Sequence, residues 1–174
     1  MRRETVSTES IVHPSSLPSA VLPLRPGTPM EQWKRAIEAG NEAFTGAEPA
    51  AALGHYRLAL RLAQTLVGDW PDHDASLAAL VVSHHNLADL HRLSHANDDA
   101  IGHVCDAHDL LQRLIADPHT DLALRQAALR HSRQTLHELL RCARTAPTHA
   151  RVQASLAHDR QGLTVVAAAE FPSH

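Results

Sequence analysis

Histidine is the residue with the most chemistry to offer in this chain, which holds fifteen of them. Four crowd one segment: His84, His85, His91 and His95. Residues four apart share a helical face, so His91 and His95 are spaced to chelate one divalent ion. His84, seven residues before His91, falls on the same side. The pattern stops short of a known metalloenzyme. No Glu directly follows the first His, as a zinc-protease helix requires, and no Cys completes a ligand set. The plainer expectation is buried, partly hydrogen-bonded imidazoles, with His95 favoured as a cation at a helix C-terminus. No metal is therefore expected, and His84, His91 and His95 are the candidates should one bind. Their titration near neutrality would also suit a pH-responsive surface.

Other chemistry is sparse. Cys105 falls beside the inward Val104 and reads as a small core residue; Cys142, near a helix end, reads as partly exposed. Neither has the basic setting of a reactive thiol. Asp98-Asp99 reads as a helix start, not a catalytic pair. No glycine-rich phosphate loop occurs. The expectation is a non-enzyme without a cofactor.

Composition narrows the class. At 174 residues the chain is long enough for one domain with a core. Hydrophobic residues make up 44% but aromatics only 3%, which suits close helix packing and argues against a sandwich or barrel. A formal charge of −3 gives no strong pull toward nucleic acid or anionic lipid. Two cysteines without a CxxC exclude a disulfide scaffold or zinc ribbon. No apolar run has the length of a membrane span, and the stretch after Met1-Arg2-Arg3 is a poor signal peptide. A cytoplasmic location is expected.

The elements that must position these residues are helices. Residues 1–27, with four prolines and many Ser and Thr, read as a disordered arm, and Met30 is a candidate translation start. A helical domain spans 28–146. Thr28-Pro29-Met30-Glu31 gives a capping box, and helix 1 runs to Thr45 with Gly46 as its terminating glycine. Helix 2 runs from Pro49 to about Val67, and helix 3 from about Asp74 to His95. Asn97-Asp98-Asp99 caps helix 4, which ends at about Ala116. Thr120 or Asp121 caps helix 5, which runs to about Arg144. Leu122, Leu129, Leu136 and Ala143, seven apart, mark its apolar side. Residues 147–174 read as a tail; a short helix over about 148–160 could cover helix 5 through Val152 and Leu156.

One spacing occurs twice. Gly40, Ala52, Tyr56 and Ala59 sit at the same intervals as Ala88, Ala100, Val104 and Ala107, with the copies 48 residues apart. Small residues at these places let two antiparallel helices approach closely, and the larger one fills the gap. The pattern over residues 31–144 resembles the tetratricopeptide repeat (TPR) family, whose usual period is about 34 residues. The resemblance implies an all-α, right-handed array of antiparallel helix hairpins, with two repeats plus an extra helix.

It also implies a role in protein–protein interaction, as an adaptor, scaffold or regulatory partner. TPR proteins take a peptide or a partner helix on the concave side, lined by the first helix of each pair. Position by position, the resemblance places Lys34, Ile37 and Asn41 there, with His85, Asn86, Asp89 and Arg92 from helix 3. With Ser132 in the small-residue place, helix 5 adds Arg130, Arg133 and His137. The arginines suit an acidic partner segment. Two alternatives stand beside this: a homodimer through the open edge of helix 5, and a metal-responsive helical module.

Overall fold

The computed structural model describes residues 27–158. The arm read over 1–26 and the chain from 159 onward, including the apolar run 163–169, lie outside the described residues. Five long helices follow one another: α1 (Pro29–Thr45), α2 (Pro49–Leu66), α3 (His73–Leu93), α4 (Asn97–Ala116) and α5 (Leu122–Thr145). A short sixth, α6, covers residues 150–158. No strand occurs among the described residues. The chain is an all-α antiparallel array of helix hairpins.

The helix starts follow capping chemistry. The Thr28 hydroxyl accepts from the Glu31 amide at 3.2 Å, and the Glu31 carboxylate accepts from the Thr28 amide at 2.8 Å, which closes the capping box. Asp72 caps α3 by accepting from the Ala75 amide. Asp121 caps α5 by accepting from the amides of Ala123 and Leu124. α4 differs from the expectation. Its N-cap is Ala96, and Asn97, Asp98 and Asp99 already lie in its first turn. There the two carboxylates favour the helix through its dipole rather than through a cap hydrogen bond.

The hairpin turns differ too. Gly46 has φ −74° and sits at the C-cap of α1; the left-handed residue is Ala47, at φ 57°. The Ala47 and Glu48 amides donate to the carbonyls of Phe44 and Ala43, a Schellman motif. α3 ends the same way. His95 takes φ 57°, and the amides of His95 and Ala96 donate to the carbonyls of Arg92 and His91. Ala47 and His95 stand at the 48-residue interval that separates Gly40 from Ala88. The repeat therefore extends to the turn itself, without glycine where the left-handed region favours it.

Packing bears out the small-residue spacing. Ala52 and Ala100 are 0% and 1% exposed, and Ala59 and Ala107 are fully buried. A Cβ built on Gly40 would lie 2.4 Å from Tyr56 Cε1, so the helices meet there only because glycine leaves room. The core runs on from hairpin to hairpin. Ile37, expected in the groove, instead packs in it with Ala52, Tyr56 and Leu87. Leu77, Val81 and Leu111 meet Leu124, Ala127 and Ala128 of α5. Val152 of α6 is fully buried among Ala100, Val104, Leu139 and Cys142, with Leu156 beside it. Cys142 is thus buried, not partly exposed.

The seam of α5 is not the seven-residue stripe. Leu122 and Leu129 are 65% and 49% exposed, while Leu124, Ala127, Ala128, Thr135, Leu139 and Cys142 face inward. The physical reason is the same close approach as in the first two hairpins. Ala127, Ala128, Thr135 and Cys142 let a neighbouring helix come close on that side, where Leu124 and Leu139 fill the contact.

Candidate functional site

The first helices of the pairs form one layer. Trp33 Nε1 of α1 donates to Ser83 Oγ of α3 at 2.9 Å, and Arg130 of α5 donates to Asp74 of α3 at 2.9 Å. The exposed polar side of this α1–α3–α5 layer carries the groove candidates. Asn41 and Asn86 come together: Asn41 Oδ1 accepts from the Tyr56 hydroxyl at 2.9 Å and from Asn86 Nδ2 at 3.3 Å. With Phe44, Thr45 and Asp89 they line a cavity of about 230 Å³. Asp89 in turn accepts from Arg92 at 2.6 Å. His85 is half-buried, and burial lowers its pKa, opposed by the nearby carboxylates of Glu138 and Asp89. Lys34, Arg133 and His137 are exposed.

The arginines are more engaged than the sequence suggests. Arg92 also lies 3.9 Å from Glu138, which binds Arg141 through both oxygens at 2.9 and 3.0 Å. Arg130 is held by Asp74. Glu138 and Asp74 escaped the sequence reading because they matter only through the α3–α5 register, which no repeat spacing reports.

The histidines sort differently from the expectation. His95 is exposed and lies beyond the end of α3 in the left-handed turn, so it does not share a helical face with His91. His84 and His91 do share one side of α3, and both turn to His103 of α4. His84 Nδ1 is 3.2 Å from His103 Nδ1. The His91 and His103 rings stack at 5.5 Å between centroids with an interplanar angle of 20°. Burial, then repulsion by His103, pushes the His84 pKa down to about 4. Burial lowers that of His103 as well, aided by His91. Both rings are therefore neutral at pH 7. Asp106, one turn along α4 from His103, accepts from Arg151 of α6 at 2.6 Å. His84, His103 and Asp106 line a cavity of about 420 Å³ with Leu60, Gln64 and Leu80.

His103 escapes a reading along one helix because its histidine partners, His84 and His91, lie on α3 and meet it only across the α3–α4 contact. The repeat held a signal, since His103 precedes Val104, the gap-filler set against Ala88, and His84 and His91 flank Ala88. Cys105 is buried with its pKa raised by desolvation, the state of an inert core thiol. His108 is fully buried, its Nδ1 3.0 Å from Thr135 Oγ1 across the α4–α5 contact.

The class these features define is an α-helical hairpin array with a polar α1–α3–α5 face and a histidine cluster between α3 and α4. Within that class, the chain matches a family of proteins of unknown function, DUF2753, over residues 31–173, and it belongs to that family. No curated protein and no solved structure matches it. No helix among the described residues is long and apolar enough to cross a membrane.

Proposed function

We propose that this chain is a TPR-like protein–protein interaction module that takes a peptide or a helix of another protein on its α1–α3–α5 face. The observation that carries the reading is the convergence of Asn41 and Asn86, from two successive first helices, at the mouth of a cavity. Amide side chains both donate and accept, so they can hold the backbone of an extended peptide. The surface is already built from packed helices, so binding orders little on this side. Arg92 and Arg130 already hold Asp89, Glu138 and Asp74, so an acidic ligand segment would have to compete with those carboxylates. The exposed Lys34 and Arg133 are the cations such a segment meets first.

The test is recovery of the partner from the native host's lysate with immobilised protein. Asn86→Ala and Arg133→Glu should each reduce recovery about tenfold, because a lost hydrogen bond to peptide or a reversed charge costs about 1–2 kcal/mol. Arg57→Glu, on the exposed side of α2, should not. Loss with Arg57→Glu and retention with the other two would refute the face assignment. A second reading has its own support. Leu122, Leu129 and Leu140 are exposed and fall on one stripe of α5. Such a stripe suits self-association, and sedimentation across a dilution series separates the two readings: a dimer dispersed by Leu129→Glu favours it.

A further inference from the structure

We propose that His84, His103 and Asp106 form a binding site for a divalent transition-metal ion of the zinc class, on the opposite side of the array from the peptide face. One donor atom from each of the three lies within 4.8 Å of the others. The separation of the imidazole nitrogens is the central observation. Two nitrogen ligands about 2.0–2.1 Å from a tetrahedral ion stand about 3.3–3.4 Å apart. His84 Nδ1 and His103 Nδ1 are 3.2 Å apart. With no metal present, one Nδ1 must carry a proton and the other accept it. An ion can take the place of that proton with almost no movement of either ring.

The surroundings fit the same use. His84 is buried on α3 and His103 half-buried on α4, so both are backed by packed helix rather than free to swing. Burial keeps the imidazoles neutral, the form that ligates. The cavity of about 420 Å³ at their edge gives an ion a way in and leaves room for water on the open coordination position. Asp106 must come closer by a turn of its exposed side chain. Arg151 holds one of its oxygens, and the carboxylate keeps a second for the ion. Two imidazoles and one carboxylate are a borderline donor set, which suits zinc or cobalt and is too nitrogen-rich for calcium or magnesium. His91, stacked on His103 and 3.9 Å from Asp99, limits the motion of the His103 ring. An ion here would tie α3 to α4 and, through Asp106 and Arg151, to α6.

The experiment uses the full chain without a purification tag, stripped of metal. Calorimetry with zinc should give one ion per chain at micromolar or tighter affinity. Cobalt should give the visible absorption of a four-coordinate nitrogen–oxygen site. Saturating zinc should raise the Tm by about 5–10 °C. His103→Gln and Asp106→Asn should each weaken binding about tenfold or more. His95→Ala and His119→Ala, both exposed, should leave it unchanged, which controls for casual binding by a histidine-rich chain. No binding below about 100 μM, or binding that survives both ligand variants, would overturn the proposal. If either ligand variant unfolds, the parent protein decides instead. Zinc must then move the imidazole nitrogen resonances of His84 and His103 and leave those of His95 and His119 in place; the reverse pattern rejects the site.

Discussion

Gly40→Ala is the sharpest test of the hairpin packing, because the same change elsewhere has the opposite sign. Alanine is favoured over glycine in a helix interior by about 1 kcal/mol. At Gly54, inside α2, an added methyl meets nothing within 4 Å, so Gly54→Ala should stabilise by about that amount. At Gly40 the methyl would lie 2.4 and 2.5 Å from two ring carbons of Tyr56. That ring cannot yield cheaply. It is 3% exposed, lies 6.5 Å from the Phe44 ring, and its hydroxyl is tied to Asn41. Overpacking costs about 1–3 kcal/mol, and contacts this short against a held ring belong to its upper part, about 2–3 kcal/mol, which leaves a net loss of about 1–2 kcal/mol after the propensity gain. At about 2–4 °C per kcal/mol, thermal melts followed by circular dichroism should show a fall of about 2–8 °C for Gly40→Ala. Gly54→Ala should rise by about 2–4 °C. If Gly40→Ala melts as high as Gly54→Ala, then α1 and α2 do not meet at Gly40, and the reading of the repeated spacing fails.

Ala47→Gly and His95→Gly relieve a left-handed residue in each of two equivalent turns. Each should stabilise by about 0.5–1 kcal/mol in urea unfolding, and the two should add because they lie in different hairpins. A destabilised variant would count against the Schellman geometry. His84 predicts acid sensitivity. Its pKa of about 4 in the folded state lies below the 6.5 of the free imidazole, so below pH 6.5 the unfolded chain takes up a proton that the folded one refuses. Stability present above pH 6.5 should therefore fall by on the order of 3 kcal/mol as the pH drops toward 4. Urea midpoints at pH 7.5 and 5 measure the effect, and a flat profile would contradict the buried, neutral cluster.

Helix boundaries were legible wherever a side chain enforces them. Thr28 and Asp121 each satisfy amides that a helix start leaves open, and that chemistry is local in sequence; Asp72 does the same for α3, whose start the spacing puts at about Asp74. The turns at Ala47 and His95 were not, because a glycine rule misleads when the left-handed place holds another residue: at Ala47 the glycine stands one position earlier, and at His95 there is none. The buried side of α5 was misread for a related reason. Seven-spaced leucines are the strongest apolar signal, yet the neighbouring helices meet α5 on the side of Ala127, Ala128, Thr135 and Cys142 together with Leu124 and Leu139, and Leu122 and Leu129 are left outside.

The two candidate surfaces divide along the same line. Asn41 and Asn86 could be singled out because the resemblance puts both on the groove side of successive first helices, although they stand 45 residues apart and the repeat equivalent of Asn41 is Asp89. His103, Glu138 and Asp74 gain their meaning only across a contact between helices, from residues that carry no periodic mark. The repeated spacing does fix one such contact, Ala88 against Val104, and His84, His91 and His103 are its immediate neighbours. A pattern that sets the height of two helices therefore also sets which side chains beside the seam will meet. In this chain the seam's tightest residues are alanines, and the groups beside them are imidazoles. The closeness that makes the hairpin pack is what brings two ring nitrogens to ligand distance.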